Sequence, residues 1–216
     1  MKYNLSDEDR AELDRRIAEV EKLSGAQIVL ATTQRSDSYA EIPWKAFSAG
    51  VSIGGMIVFI TALLLPFWVT NTSILLSITS ILASGILLAL MTVLNQGFAR
   101  FFLPSHRKES ETLQYAQSLF LSREIFATAG RRGILIMFSL FEKQVVVLPD
   151  KALREIFTPE ITNKIISEMA ELLKKNEVRM AFEAGLRGIQ SSLFMSESLD
   201  TNKNELSNEI ISEDNL

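Results

Sequence analysis

The sequence predicts an α/β domain that is interrupted by a hairpin of two transmembrane helices. Three observations lead to this prediction. No residue between Lys45 and Arg100 carries a charge. Short runs of apolar and β-branched residues, typical of buried strands, lie on both sides of that segment. Segments with an apolar residue every three to four positions, typical of amphipathic helices, accompany the strands.

The composition limits the classes of function that the chain can have. Of its 216 residues 47 % are apolar and 22 % are charged, so the apolar residues must be concentrated in one part of the chain. The net charge is −4 and no basic patch is larger than Arg107-Lys108, so we expect no nucleic-acid partner. The absence of cysteine excludes disulfides, thiol nucleophiles and Cys-ligated metals, and it fits a reducing compartment.

The first 45 residues predict one helix and one strand of the α/β domain. Ser6 is a candidate N-cap, Asp9 stands at the capping-box position and Gly25 ends the helical pattern. The apolar stripe of this helix consists of Leu13, Ile17, Val20 and Leu23. Gln27–Thr33 is rich in apolar and β-branched residues and predicts a short strand, followed by a loop that contains Asp37.

Residues 46–103 predict the transmembrane hairpin, with helices over about 46–68 and 74–94. Each segment is close to the ~20 apolar residues that span a bilayer. Their Leu, Ile, Phe and Val side chains each favour insertion by about 0.3 to 0.6 kcal/mol, so insertion is favoured by several kcal/mol before Ser, Thr and Gly subtract. The alternative is a helical hairpin buried in a soluble core. The rest of the chain is too short to cover both helices on all sides.

The charges around this hairpin predict its orientation. The connector 69–73 is uncharged, whereas the outer flanks carry Lys45, Arg100 and further cations, so the positive-inside rule places both termini in the cytoplasm. The N-terminal segment also lacks the apolar core of a signal peptide. Trp44 and Trp68 are 24 residues apart, about 36 Å at ~1.5 Å per residue. With Lys45 and Arg100 they are candidate membrane-interface anchors.

Small residues recur at four-residue spacing in both apolar segments. Gly50 and Gly54 stand four positions apart in the first, and Gly85 and Ala89 in the second. Such small faces let helices in a membrane approach closely. Either the two helices pack on each other through these faces, or the faces bind a second copy of the chain or another membrane protein.

Residues 104–195 predict the second part of the α/β domain. A helix is expected from about Arg107 to Ala127, closed by Gly130. Strands follow at Gly133–Leu140 and Gln144–Leu148, both apolar at consecutive positions as in strands covered on two faces. Thr158-Pro159 then starts the first of two amphipathic helices. The buried face of the last helix is expected to consist of Val178, Phe182, Leu186, Ile189 and Leu193.

The order of these elements constrains the topology. The strand at Gln27–Thr33 can join the later strands only if the apolar hairpin is an insertion into one domain. An antiparallel pair of helices returns the chain to the side that it left, which satisfies this condition. Residues 196–216 are acidic and polar and are expected to form a flexible tail.

Three stretches of the chain resemble the TPM domain family: Ala26–Thr32, Tyr115–Phe120 and Thr128–Asp150. The resemblance covers most of the chain outside the hairpin and the tail. It implies a small central sheet with helices on both faces. It is nearest to a bacterial subgroup with an inserted transmembrane hairpin, which implies the bacterial inner membrane as the location. For some members the family also implies acid-phosphatase activity and calcium binding, and for others accessory roles beside membrane complexes.

Three carboxylates are candidates for such a calcium site: Asp37, Glu142 and Asp150. Calcium takes about six to eight oxygen ligands, so these residues can contribute only if their loops meet. The simpler interpretation is that Glu142-Lys143 forms a solvated turn and that Asp150 caps the helix that starts near Lys151. The sequence favours the turn and the cap.

Arg131 and Arg132 are candidates for contact with an anion. Two adjacent arginines can bind a phosphate or a carboxylate, or they can face lipid headgroups at a surface. The sequence contains no P-loop, nucleophile elbow, HExxH or GxGxxG motif.

Together these features predict a membrane-tethered, non-enzymatic module. We expect its cytoplasmic domain to bind or assist another protein, either a membrane protein or a second copy of the chain, with no cofactor. The alternative is a metal-dependent phosphatase-type hydrolase that uses the three carboxylates and Ca²⁺.

Overall fold

The computed structural model of the chain describes residues 6–65, 70–128, 130–175, 177–195 and 211–213. The fold divides into two compact units. The described residues within 1–37 and 109–216 form one unit, which we call the body. Residues 38–108 form the other, which we call the apolar hairpin.

The first element of the body is helix α1, Asp7–Ser24, which begins and ends as predicted. Asp9 donates its backbone N–H to the Ser6 hydroxyl (3.1 Å), and Ser6 donates its backbone N–H to the Asp9 carboxylate (3.2 Å), which completes the capping box. The Ser6 hydroxyl also donates to the Asp9 carboxylate at 2.7 Å, and this bond is the main cause that lowers the pKa of Asp9. Gly25 ends the helix with a φ of 63°.

The predicted apolar stripe of α1 is correct except at Leu23. That side chain is 53 % exposed. The buried face instead continues through Glu21 and Ser24. Ser24 lies four residues after Val20, and residues four apart share one side of a helix. The other predicted stripe residues, Leu13, Ile17 and Val20, are fully buried.

Among the described residues, four strands form one mixed sheet in the order β3-β2-β1-β4. They are β1 Gln27–Thr33, β2 Gly133–Ser139, β3 Gln144–Pro149 and β4 Ile211–Glu213. β1 pairs in parallel with β2 over its whole length, and β3 is antiparallel to β2. The first strand therefore joins the later strands across the inserted hairpin. The first three strands agree with the predicted bounds to within one residue.

Strand β4 was not predicted. Its three residues pair in parallel with Ala31–Thr33 of β1, inside the range 196–216 that was expected to be a flexible tail. The pairing is possible because one edge of β1 is not used by β2. The other residues of that tail lie outside the described residues.

Three longer helices complete the body. They are α5 Ser105–Ser122, α6 Pro159–Lys174 and α7 Val178–Met195. α5 ends five residues before the predicted Ala127, and Gly130 does not close it. Glu124 adopts a φ of 51°, a left-handed conformation that cannot continue an α-helix. A short 3₁₀ turn, Ile125–Ala127, follows.

The body has helices on both faces of its sheet, as the resemblance implied. α1, α6 and α7 cover one face, and their buried side chains meet Ile28, Leu30, Ile134 and Ile136. α5 covers the other, with Val29, Ala31, Leu135 and Met137 below it. Because successive strand residues point to opposite faces, this arrangement buries every position of β2 and explains its unbroken apolar run.

The apolar hairpin consists of α2 Glu41–Leu64, α3 Asn71–Leu94 and the short α4 Gln96–Phe101. α2 and α3 contain 24 residues each, and both are long and apolar enough to cross a membrane. Only 11 % and 6 % of their most apolar stretches are buried within the protein. α2 begins five residues and α3 three residues before the predicted segments.

The small residues singled out above pack α2 on α3. A Cβ atom added to Gly50 would lie 2.6 Å from the backbone oxygen of Ser84, and one added to Gly54 would collide with the Ser84 hydroxyl. A Cβ on Gly85 would lie 2.8 Å from the ring of Phe47. The Ser84 hydroxyl also donates to the Gly50 carbonyl oxygen at 2.9 Å. The structure therefore uses these glycines within the hairpin rather than leaving them open to a second protein.

Candidate functional site

A buried carboxylate marks each end of strand β3. Glu142 lies in the turn before the strand and is 2 % exposed, and Asp150 follows the strand and is 3 % exposed. The strand has six residues, which at ~3.3 Å per residue separates the two ends by about 20 Å. The two candidate metal ligands therefore belong to two different sites.

Glu142 holds the loop that leaves β1. Its Oε1 accepts a hydrogen bond from the backbone N–H of Ser36 at 2.9 Å, and its Oε2 accepts one from the Ser139 hydroxyl. The Ser36 hydroxyl lies 3.0 Å from the Ser139 hydroxyl and 3.5 Å from that of Thr112 on α5. The carboxylate thus joins the ends of the parallel strands β1 and β2.

The expected solvated turn is wrong for Glu142. Leu140 and Phe141 donate their backbone N–H groups to the carbonyl oxygens of Thr33 and Gln34, both at 3.0 Å. These bonds fold the turn over the end of β1 and bury the glutamate. Only the neighbouring Lys143 is exposed, at a φ of 55°.

Asp150 has the predicted capping role and a second role. Its Oδ1 accepts a hydrogen bond from the backbone N–H of Lys151 at 2.7 Å and so caps the 3₁₀ turn Lys151–Leu153. The same carboxylate binds Arg131 side-on, with Nε and Nη2 each 2.9 Å from a carboxylate oxygen. Asp150 is therefore an anchor for a cation at the protein surface.

Arg131 is held on two sides but remains accessible. Its side chain is 52 % exposed, and the centre of its guanidinium lies 5.6 Å from the centroid of the Phe126 ring. Its backbone adopts a φ of 52°. Non-glycine residues rarely adopt this conformation, and such strain is concentrated at functional sites.

A groove of about 430 Å³ opens beside Arg131, and we call it the Arg131 groove. Its apolar wall consists of Phe120, Leu121, Phe126, Leu148 and Pro149. Arg131, Asp150, Arg154 and Gln117 supply the polar groups. Arg154 is exposed, and no ion pair of its side chain occurs among the described residues. Arg154 was not singled out from the sequence.

The three candidate calcium ligands do not converge. Asp37 lies in the loop after β1, next to the Ser36 amide that Glu142 binds, whereas Asp150 lies at the opposite end of β3. Within the described ranges, which include all three residues, no three acidic or histidine side chains are grouped as a metal site requires. The structure therefore does not assemble the site on which the hydrolase alternative depends.

The adjacent arginines have different environments. Arg131 faces the groove, whereas Arg132 is 8 % exposed and donates from Nη2 to the carbonyl oxygen of Ser24 at 2.6 Å. Arg132 therefore contacts the end of α1 inside the body rather than an external anion.

Three of the four candidate membrane-interface residues are described. Trp44 is 72 % exposed and contacts Phe47 edge to face. Lys45 lies 3.7 Å from Glu41 one helical turn away, and Arg100 donates to the carbonyl oxygen of Gln96. Trp68 lies outside the described residues.

Comparison with known proteins supports the fold. A sequence model described as the TPM domain matches residues 99–192, from α4 into α7. The NMR structure of the BA42 protein from the psychrophilic bacterium Bizionia argentinensis sp. nov. superposes with a TM-score of 0.58 at 11 % sequence identity. That match covers 99 % of this chain and 98 % of the BA42 chain. A search of curated protein sequences produced no match.

Proposed function

We propose that the chain is a membrane-anchored member of the TPM domain family whose body binds another protein, since a sequence model of that domain matches residues 99–192. The exposure of α2 and α3 carries this proposal. The core helix of a soluble protein is mostly buried, whereas these two helices bury at most 11 % of their most apolar stretches. So large an apolar surface requires lipid or another protein to cover it.

The dimensions and polar groups of the hairpin suit a bilayer. Twenty-four residues at ~1.5 Å per residue give about 36 Å, enough to cross a hydrocarbon core of ~30 Å. Several exposed hydroxyl groups on these helices are already satisfied. Ser52, Thr61 and Thr79 each donate to a carbonyl oxygen one turn earlier, at 2.8 to 2.9 Å. This pairing reduces the cost of placing them in lipid.

The flanking charges support an orientation with the body in the cytoplasm. The connector carries no charge, whereas Lys45, Arg100, Arg107 and Lys108 flank the two helices on the other side. Loops rich in Lys and Arg stay on the cytoplasmic side of a membrane. With the bacterial subgroup that the sequence resembles, this favours the inner membrane.

The body is proposed to bind rather than to catalyse, because two of the three candidate carboxylates are engaged in structure. Glu142 binds the β1 loop and Asp150 binds Arg131. Neither arrangement leaves a set of converging carboxylates for a metal-assisted hydrolysis. The hydrolase alternative predicts that the chain releases phosphate from a phosphate ester and that Asp150→Asn abolishes the release.

The anchor can be tested with single-cysteine variants, because the natural chain contains no cysteine. Thr72→Cys lies at the start of α3, and Ser122→Cys is exposed at the end of α5. We expect the protein to resist alkaline carbonate extraction. In intact spheroplasts a membrane-impermeant maleimide should label Thr72→Cys only, and Ser122→Cys should react after permeabilisation. Release by carbonate would contradict the anchor, and the reverse labelling pattern would contradict the orientation.

The binding role can be tested by photo-crosslinking in native membranes. A photoreactive residue at Leu121, whose side chain is 61 % exposed on the body, should form an adduct with a discrete protein. The same residue at Gly55, beside which a Cβ would meet open space, reports contacts of the hairpin surface. Lipid adducts from both positions, with no protein adduct, would count against a protein partner.

A further inference from the structure

We propose that the Arg131 groove binds an acidic peptide segment in which a carboxylate neighbours an aromatic or aliphatic side chain. The proposal rests on the binding function above and names the chemistry of the partner. One cavity contains a prepositioned guanidinium, a second exposed arginine and an apolar wall.

Arg131 is prepared for a further anion. Its Nη2 donates a hydrogen bond to Asp150 at 2.9 Å and its Nε lies 2.9 Å from the other carboxylate oxygen, so both N–H groups of Nη1 remain for a ligand. Asp150 and Phe126 hold the group in place, so binding a second carboxylate costs little additional side-chain entropy. The left-handed backbone of Arg131 adds a local strain that the packing of the body maintains.

The charge of the groove favours a carboxylate over a phosphate dianion. Arg131 and Arg154 supply two positive charges and Asp150 one negative charge, which leaves a net charge of +1 (2 − 1). A monoanion neutralises this charge. A dianion would also lie close to the Asp150 carboxylate, and like charges repel at such distances.

The apolar wall favours a peptide over a lipid surface. Phe120, Phe126 and Leu148 line a cavity of about 430 Å³, within the ~300–1,000 Å³ range of ligand pockets. A concave apolar pocket accepts a protruding side chain. Recognition of an anionic bilayer typically uses clusters of about four to eight Lys and Arg, whereas this groove presents two arginines beside an aspartate.

The test uses the full-length protein in detergent micelles and three dye-labelled peptides, Ser-Phe-Glu-Phe-Ser, Ser-Phe-Gln-Phe-Ser and Ser-Ser-Glu-Ser-Ser. Fluorescence anisotropy measures the dissociation constants. We expect the first peptide to bind most tightly. Arg154→Gln should raise the dissociation constant of the Glu peptide by about tenfold, as loss of a charge-assisted hydrogen bond does. The dissociation constant of the Gln peptide should not change. The matched control Arg187→Gln, exposed on α7, should have no effect.

Several results would overturn the inference. The first is equal binding of the Glu and Gln peptides. The second is unchanged binding of the Glu peptide by the Arg154→Gln variant. The third is displacement of the labelled Glu peptide by inorganic phosphate or phosphatidylglycerol vesicles at lower concentrations than by the unlabelled peptide. Tighter binding after substitution of Glu197, Asp200 and Glu205 by their amides, which leaves β4 intact, would show that the acidic tail of the chain itself occupies the groove, and would also refute a foreign partner.

Failure of this inference can be distinguished from failure of the proposed function. A protein that stays in the membrane and crosslinks to a protein from Leu121, but binds none of the peptides, retains its proposed function and loses only the groove assignment. A protein that carbonate releases but that binds the Glu peptide through Arg154 retains the groove and loses the anchor.

Discussion

The two ends of β3 each hold a buried carboxylate, but the groups around them differ in charge and in access to solvent. Glu142 accepts hydrogen bonds from an amide and a hydroxyl inside the body. Asp150 binds a guanidinium that is half exposed in a groove. The comparison shows that burial of an acid does not by itself mark a functional site. The useful distinction is whether the acid positions a group that a ligand can reach.

The largest effect on stability is expected at the Glu142 end. Glu142→Ala leaves the Ser36 amide and the Ser139 hydroxyl without their acceptor, and each unpaired buried group costs about 1–3 kcal/mol. We expect the free energy of unfolding to fall by about 3 kcal/mol in a denaturant titration of the detergent-solubilised protein. The control is Lys143→Gln in the same turn, which is exposed. Equal stability of the two variants would show that the turn does not depend on Glu142.

A smaller loss is expected for Ser139→Ala, which removes one of the two donors to Glu142. Loss of one hydrogen bond to a charged group corresponds to about 1.5–3 kcal/mol. Binding of the Glu peptide should not change, because Ser139 lies at the far end of β2 from the Arg131 groove. A change in peptide affinity without a change in stability would reverse the roles that we assign to the two ends.

At the Asp150 end we expect a modest loss of stability on substitution of Asp150 and a loss of peptide binding on substitution of Arg131. Asp150→Asn keeps an N-cap residue but weakens the bond to Arg131, and because that arginine is half exposed the cost should be about 1 kcal/mol or less. A double-mutant cycle with Arg131→Gln measures the coupling. Peptide affinity should fall in Arg131→Gln, since that change removes the guanidinium that would bind the peptide carboxylate. If Asp150→Asn were as unstable as Glu142→Ala, the expected difference in stability between the two ends of β3 would be contradicted.

The smallest effect concerns exposed carboxylates at helix N-termini. The Ser6 and Thr158 hydroxyls lower the pKa of Asp9 and Glu160 respectively. A carboxyl whose pKa is lower in the folded state stabilises the fold above its unfolded pKa, and the contribution is lost as pH falls through the folded value. For Asp9 that loss lies below about pH 3.8. Asp9→Asn should flatten the acid limb of stability against pH, and an unchanged limb would contradict this assignment.

Local patterns predicted much of the fold. Ser6, Gly25 and Thr158 act at helix ends as expected, because capping depends on residues within a few positions of each other. The first three strands follow from their apolar runs for the same reason. Asp150 also caps as expected, but its bond to Arg131 across 19 positions was not anticipated.

The features that the sequence did not predict have a different physical origin. Glu142 is buried because residues 106 positions earlier fold against its turn, and no local pattern of a Glu-Lys turn reveals this. Strand β4 depends on an open edge of β1, which only the assembled sheet defines. Arg154 faces the groove because the 3₁₀ turn after Asp150 places it there. Each case depends on tertiary structure rather than on periodicity.

The pairing of β1 with β2 also determines how early the sheet of the body can form during translation. Gln27 pairs with Gly133, so the ribosome adds about 100 residues between the two strands, which at ~5–20 residues per second takes about 5–20 s. During that interval β1 is made but has no neighbouring strand, and the apolar hairpin emerges first. Delivery of α2 and α3 to their final environment can therefore precede closure of the body.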